Sequence, residues 1–255
     1  MNNSTYEDLQ VIFEYYKDLK KHPFKNATFD AKLNNKGFED SKLFRFVVDY
    51  FGFNKFPVVI PTRAFNKNYI KEFYHGFKEY EYGANFLVDW NYHYGNGYND
   101  GFYVTDDEEV AKSYTGGFPT SQSNGLIMRV KPISNKFSRI SEINAYIRGN
   151  SNCDDENVKN QLLKINEFYD YALRNGEDKS LLNDFYKCFI YNPSTFAVYL
   201  GFDYCIDDTF HNHLIIYNRG AICVPEADAK RFLSKSENYK DAVLNFYSNV
   251  DEIER

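Results

Sequence analysis

Long apolar runs are missing from this chain. No stretch approaches the ~20 consecutive apolar residues that a membrane-spanning helix requires. The opening "MNNSTYEDLQVIFEYYKDLKK" lacks the basic segment followed by an apolar segment that marks a secretory signal. The expectation is a soluble, cytoplasmic protein that does not engage membranes. Cysteine is also scarce. Cys153, Cys188, Cys205 and Cys223 are far apart in the chain, with no paired C-x-x-C knuckle for zinc and no dense disulfide framework. They read as reduced, mostly buried thiols. Basic blocks are absent too: 30 Lys and Arg against 36 Asp and Glu give a net charge of −6, and the cations are scattered. That leaves no electrostatic footprint for duplex nucleic acid or an anionic membrane.

What the chain has in abundance is aromatic side chains, 23 Tyr and 24 Phe beside a single Trp. Tyr scores as polar on hydropathy scales yet buries its ring, so the expected core is rich in Phe and Tyr. An Asn-, Lys-, Tyr-, Phe- and Ile-rich composition also follows from an AT-rich genome, so single tyrosines carry little functional weight. A length of 255 residues suffices for one sizeable core or two small ones.

Residues 5–22 place Leu9, Ile12, Phe13, Tyr16 and Leu19 at helical spacing behind a Thr-x-x-Asp step. "DSKLFRFVVDYF" reads as a second helix, and "KFPVVIPTRAF" as a short strand closed by Pro61 and Arg63. "NKNYIKEFYHGFKEY" reads as helical and "GANFLVDWNYHYGNGYNDG" as a glycine-punctuated loop. "FYVT" is a short buried strand, and "DDEEVAKSY" a helix whose first-turn acids complement its dipole. A strand "GLIMRVKP" and a long polar helical stretch follow, then a short helix ending near Gly201. "HLIIYNRGAICV" reads as a strand or hairpin with a turn or bulge at Asn218–Gly220 and a solvated Arg219. A helix closes the chain. Short strands between helices of uneven length predict an α+β fold.

The glycines Gly95, Gly97 and Gly101 give G-x-G-x-x-x-G, one residue too long for a dinucleotide fingerprint, and they precede a strand instead of following one. They suit a loop whose backbone turns sharply or approaches a ligand closely. His211 and His213 share one strand face, but no third metal ligand is in view.

The ordered pieces "PTRAF", "YIKEFYHGF", "YGNGYNDGFYVTDDEEVAKSYTGG", "GLIMRVKP", "FAVYLGFDYCID" and "HLIIYNRGAICV" span residues 56–227. In this order they resemble bacterial and phage ADP-ribosyltransferase domains. In these domains a strand-borne Arg or His is followed by a glycine-rich loop, a "G-[FIL]-Y-[FV]-[ST]" strand and an Ala-containing helix. The resemblance implies a split-sheet α+β core at 56–227. It would carry an N-terminal helical region over 1–55, a helical insertion at about 150–190 and a C-terminal helix over 228–255. It further implies a mono-ADP-ribosyltransferase that moves ADP-ribose from NAD to a macromolecule, or an NAD glycohydrolase. The setting would be a toxin or effector in conflict between phage and bacteria. The target would be a protein rather than nucleic acid, with an antitoxin or inhibitor as a further partner, and no metal would be required.

By residue, the resemblance implies NAD contacts at Arg63, Gly101, Phe102, Tyr103, Thr105 and Tyr114, and catalytic roles for Arg63, Tyr103 and His213. A fixed guanidinium can hold a pyrophosphate bidentately. Tyr103 and Thr105, two apart on one strand face, offer a ring to nicotinamide and a hydroxyl to a ribose or amide oxygen. The sequence departs from the family at the last strand, where a Glu or Gln is usual and Asn212, His213 and Leu214 stand instead. His213, Asp207 and Asp208 are the candidates for the missing acceptor. This departure motivates an alternative: a catalytically silent relative that binds a partner protein or nucleotide. A tyrosine-rich interaction surface on an unrelated α+β fold is a third reading.

Overall fold

The computed structural model describes residues 5–21, 38–53, 56–67, 69–89, 100–115, 126–149, 155–208 and 213–239. The fold mixes helices with two small four-stranded sheets, consistent with α+β. The chain divides into two compact units built from interleaved stretches. The first combines Met1–Phe53, Tyr94–Phe102 and Lys136–Tyr217; the second combines Asn54–His93, Tyr103–Asn135 and Asn218–Arg255.

The first unit is helix-rich, with α1 (Tyr6–Lys21), α2 (Phe38–Tyr50), α6 (Ile140–Arg148), α7 (Glu156–Arg174), α8 (Lys179–Phe189) and α9 (Pro193–Tyr199). Side-chain caps define several of their starts. Asp155 accepts from Asn157 N at 2.9 Å, Asp178 from Leu181 N at 2.8 Å, and Asn192 caps α9 ahead of Pro193. The apolar stripe of α1 is Leu9, Ile12, Phe13 and Tyr16, all buried. It meets α7 and α8 through rings: Phe13 lies 5.1 Å from Phe185 and 5.7 Å from Phe168. Phe189 and Tyr199 extend the cluster at 5.2 Å, so this core is the aromatic one that composition predicts. The buried Tyr199 phenol is hydrogen-bonded, its Oη donating to Gln161 Oε1 at 2.9 Å. The unit's sheet comprises β5 (Phe137–Arg139), β6 (Tyr204–Asp207) and β7 (His213–Ile216), and β7 neighbours β3 (Phe102–Val104).

The second unit's sheet runs β1 (Val58–Ile60), β8 (Ile222–Pro225), β4 (Ile127–Pro132) and β2 (Phe73–Gly76), flanked by α3 (Thr62–Lys67), α4 (Tyr80–Val88), α5 (Glu108–Ser113) and α10 (Glu226–Lys235). β1 pairs parallel with β8, while β4 pairs antiparallel with both β8 and β2. Asp228, 1% exposed, anchors α10 to β4: it accepts from Arg129 N at 2.9 Å and from both ends of the Arg129 guanidinium, and it pairs with Arg231 at 3.1 Å.

Four expectations change. "FYHG" is strand β2 instead of helix, because Phe73 and His75 alternate with Tyr74 and the backbone pairs with β4. "GANFLV", expected as the start of a loop, belongs to helix α4; its Gly83 admits the Phe232 ring, which a Cβ would meet at 2.2 Å. The expected final hairpin is not one, since β7 and β8 belong to different sheets and a 3-10 turn, Arg219–Ala221, links them. Arg219 is 1% exposed rather than solvated, with Nη1 donating to the carbonyls of Asp89 at 3.0 Å and Phe86 at 3.3 Å. The end of α4 leaves carbonyls without intrahelical partners, and this arginine supplies donors for them.

Candidate functional site

The chemistry-bearing residues of the second unit converge on β2, the Tyr103–Thr105 segment and α5. Tyr74 and Thr105 form a two-way backbone bridge, with Tyr74 N donating to Thr105 O at 2.7 Å and Thr105 N to Tyr74 O at 3.0 Å. One residue along, His75 Nδ1 meets the Tyr103 carbonyl at 2.5 Å. A carbonyl only accepts, so Nδ1 carries the proton and Nε2 is the acceptor nitrogen of a neutral ring. Burial pushes the imidazole pKa down to about 4, against the opposing pull of that carbonyl bond. The ring also packs on Phe77, with centroids 4.5 Å apart.

Gly76 and Ala111 fix the next contact. A Cβ on Gly76 would stand 2.0 Å from the Ala111 carbonyl oxygen, so only glycine lets α5 lie this close to β2. The helix begins in turn from the acidic step after β3. Asp107 caps it by accepting from Glu109 N at 2.9 Å and Val110 N at 3.3 Å, and Thr105 Oγ1 accepts from Asp107 N at 3.2 Å. Glu109 pairs with Lys112. These acids start and stabilise a helix, as the dipole argument expects.

Tyr103, half-buried between the buried Phe102 and Val104, presents its carbonyl to His75. Thr105 is 5% exposed; its oxygen accepts from Asp107, and its hydroxyl proton remains available as a donor. Tyr114 caps the C-terminal end of α5 and is exposed. Arg63 does not close a strand: it is the second residue of α3, and its side chain is exposed. Pro61 ends β1, and the Pro61 carbonyl accepts from Ala64 N and Phe65 N to open the helix. Inward-facing Phe65 holds α3 in place: its carbonyl accepts from Lys131 Nζ at 2.8 Å, and that ammonium lies 4.4 Å over its ring. The structure therefore brings Tyr103 and Thr105 together with His75, and it places Arg63 on a separate helix.

Gly101, Phe102 and His213 belong to the first unit. Gly101 has φ +132°, and a Cβ there would meet Ile215 Cγ2 at 2.5 Å. The close approach that requires this glycine is to the protein's own β7. Gly95 and Gly97 lie outside the described residues, as do Cys153, His211 and Asn212. His213 opens β7 opposite Asp207 of β6. Asp208 accepts from Ser141 N at 3.1 Å and Ser141 Oγ at 2.6 Å, and so caps α6. Burial would raise its pKa, but the Ser141 bonds and the Arg139 charge outweigh that and hold the carboxyl below its usual range.

Among the described residues no group of three or more His, Cys, Asp or Glu side chains could hold a metal ion. No described helix is long and apolar enough to cross a membrane. Cys188, Cys205 and Cys223 are buried free thiols.

The residue that the sequence reading passes over is His75. Its signal was present in "FYHG", where Phe73 and His75 alternate with Tyr74 just before a glycine. No protein-family model, curated protein or solved structure matches the chain.

Proposed function

We propose that β2, the Tyr103–Thr105 segment and α5 form the NAD-binding part of an ADP-ribosyltransferase-like domain, with His75 as the strand-borne basic residue. The observation that carries this reading is the His75 Nδ1 bond to the Tyr103 carbonyl, with Gly76 and Ala111 locking the adjoining helix. Three pieces of the resemblance thereby acquire a mutual physical reason: the basic strand residue, the "GFYVT" strand and the Ala-containing helix. His75 meets the strand requirement that Arg63, on α3, does not.

In this reading His75 holds the Tyr103 carbonyl through Nδ1 and so sets the strand that carries the site, Tyr103 stacks its ring on nicotinamide, and the Thr105 hydroxyl donates to an oxygen of the ligand. The C1–N bond of the nicotinamide ribose breaks through an oxocarbenium-like state, its electron pair leaving with nicotinamide. A nucleophile of a macromolecular target, or water, then bonds to C1 and releases its proton to solvent. The target would be a protein rather than nucleic acid, in keeping with the chain's net charge of −6; the phage–bacterial setting rests on the family resemblance alone.

A second reading, a silent relative that binds NAD or a partner without turnover, is favoured by one observation. The residue opening β7 is His213 instead of a carboxylate, and Asp208 is committed to capping α6. Nicotinamide release by wild type, His75→Ala, Tyr103→Ala and Arg63→Ala tests the leading reading. The expected result is release by wild type, a loss of about tenfold or more in the first two variants, and near-wild-type release in the third, tenfold being the rate equivalent of ~1.4 kcal/mol. NAD binding without release would favour the silent relative.

A further inference from the structure

Asp100 sits three positions before Tyr103, next to Gly101. It is a carboxylate in an unusual place, 5% exposed within the aromatic first unit. An uncompensated buried carboxylate is strongly unfavourable, so its partners show what holds it there. Ser41 Oγ, on α2, donates to Oδ1 at 3.3 Å, and Asn192 Nδ2, at the start of α9, donates to Oδ2 at 3.1 Å. The orientation of the Asn192 amide is fixed independently. Its Oδ1 accepts from Ser194 N at 3.1 Å and Thr195 N at 3.2 Å, so only the NH2 end can turn toward Asp100. The next residue, Gly101, is held at φ +132° against Ile215 and the Tyr217 ring, and Tyr217 Oη reaches Ser194 Oγ at 3.5 Å. Two consecutive residues are thus clamped to α2, α9 and β7 at the point where β3 begins.

We propose that Asp100 is a positioning residue for β3: clamped by Asn192 and Ser41, it fixes where the strand begins and hence how Tyr103 is presented. The consequence for catalysis rests on the NAD-binding reading above; the anchoring itself does not. Asp100 touches no reacting atom in this scheme and acts through Gly101 and Phe102 on the residue that follows them.

The test compares the full-length chain with Asp100→Ala, Asp100→Asn, Asn192→Asp and the swap Asp100→Asn/Asn192→Asp. Asn192→Asp alone sets two carboxylates against each other. The swap restores one amide facing one carboxylate and keeps an acceptor for the Ser194 and Thr195 N–H groups. Asp100→Asn retains an oxygen for Asn192 and turns its NH2 toward the Ser41 hydroxyl. Amide hydrogen exchange over residues 100–105 is expected to rise about tenfold or more in Asp100→Ala and Asn192→Asp, with α7 and α8 unchanged, and to stay near wild type in Asp100→Asn and in the swap. Unchanged exchange over 100–105 in both disruptive variants, or an equal rise across α7 and α8, would overturn the proposal. Nicotinamide release supplies the second readout: kcat should fall about tenfold in the disruptive variants and return in the swap. If wild type releases no nicotinamide, the NAD reading fails while the exchange pattern still decides the anchoring.

Discussion

His75 ties a titration to a contact. Its pKa is near 4 in the folded protein and ~6.5 in an unfolded chain. Between these values the unfolded chain binds a proton that the folded one does not, so stability falls as pH drops from about 6.5 toward 4 and is independent of this group above that window. The whole effect is on the order of 3 kcal/mol at most. His75→Asn keeps a donor for the Tyr103 carbonyl and does not titrate. Thermal melts between pH 7 and pH 5 should therefore show a smaller loss in the variant, and parallel losses would contradict the assignment. Gly76 makes a sharper demand, since a Cβ there overlaps the Ala111 carbonyl. Gly76→Ala should cost at least ~2 kcal/mol in chemical denaturation, in the range of overpacked sites. A cost near zero would mean that α5 can shift away from β2.

Among the elements, α5 depends on its cap and α10 on its anchor. Asp107→Ala removes the acceptor for Glu109 N and Val110 N and should destabilise by about 1 kcal/mol in a denaturation titration. Asp228→Ala leaves Arg129 and Arg231 without their shared carboxylate and should cost more, about 3 kcal/mol. A loss no larger than that of Asp107→Ala would mean that water solvates both guanidiniums. Most elements were legible from periodicity and capping: the α1 stripe, the β3 strand and the acid-led start of α5 all stand in the sequence. β2 was not, because Tyr69, Ile70, Phe73 and Phe77 fall close enough to helical spacing to hide a four-residue alternation that only pairing with β4 reveals. The same misreading hid His75, whose role depends on being on a strand. α4 escaped notice because its Gly83 reads as a loop signal, whereas the Phe232 ring is what demands it.

For the whole molecule, burial of aromatics and thiols sets the behaviour. Cys188, Cys205 and Cys223 are buried, and burial pushes the Cys205 thiol up to about 12. A thiol reagent at neutral pH should modify these three only after unfolding, so peptide mapping after native labelling should find them unmodified. The interleaving of both units along the chain could not be read from local pattern, because it depends on which sheet each short strand joins. Strands β7 and β8, separated by only a few residues, join different sheets. What the sequence did carry was Tyr103 and Thr105 two apart on one extended segment, and the structure adds the His75 contact to the Tyr103 carbonyl and the bridge of Thr105 to Tyr74. The most direct test of a ligand site there is calorimetric titration of NAD into wild type and His75→Ala. Binding by wild type that weakens about tenfold or more in the variant is the predicted result. No binding by wild type, or equal affinity in both, would contradict an NAD site at β2 and Tyr103.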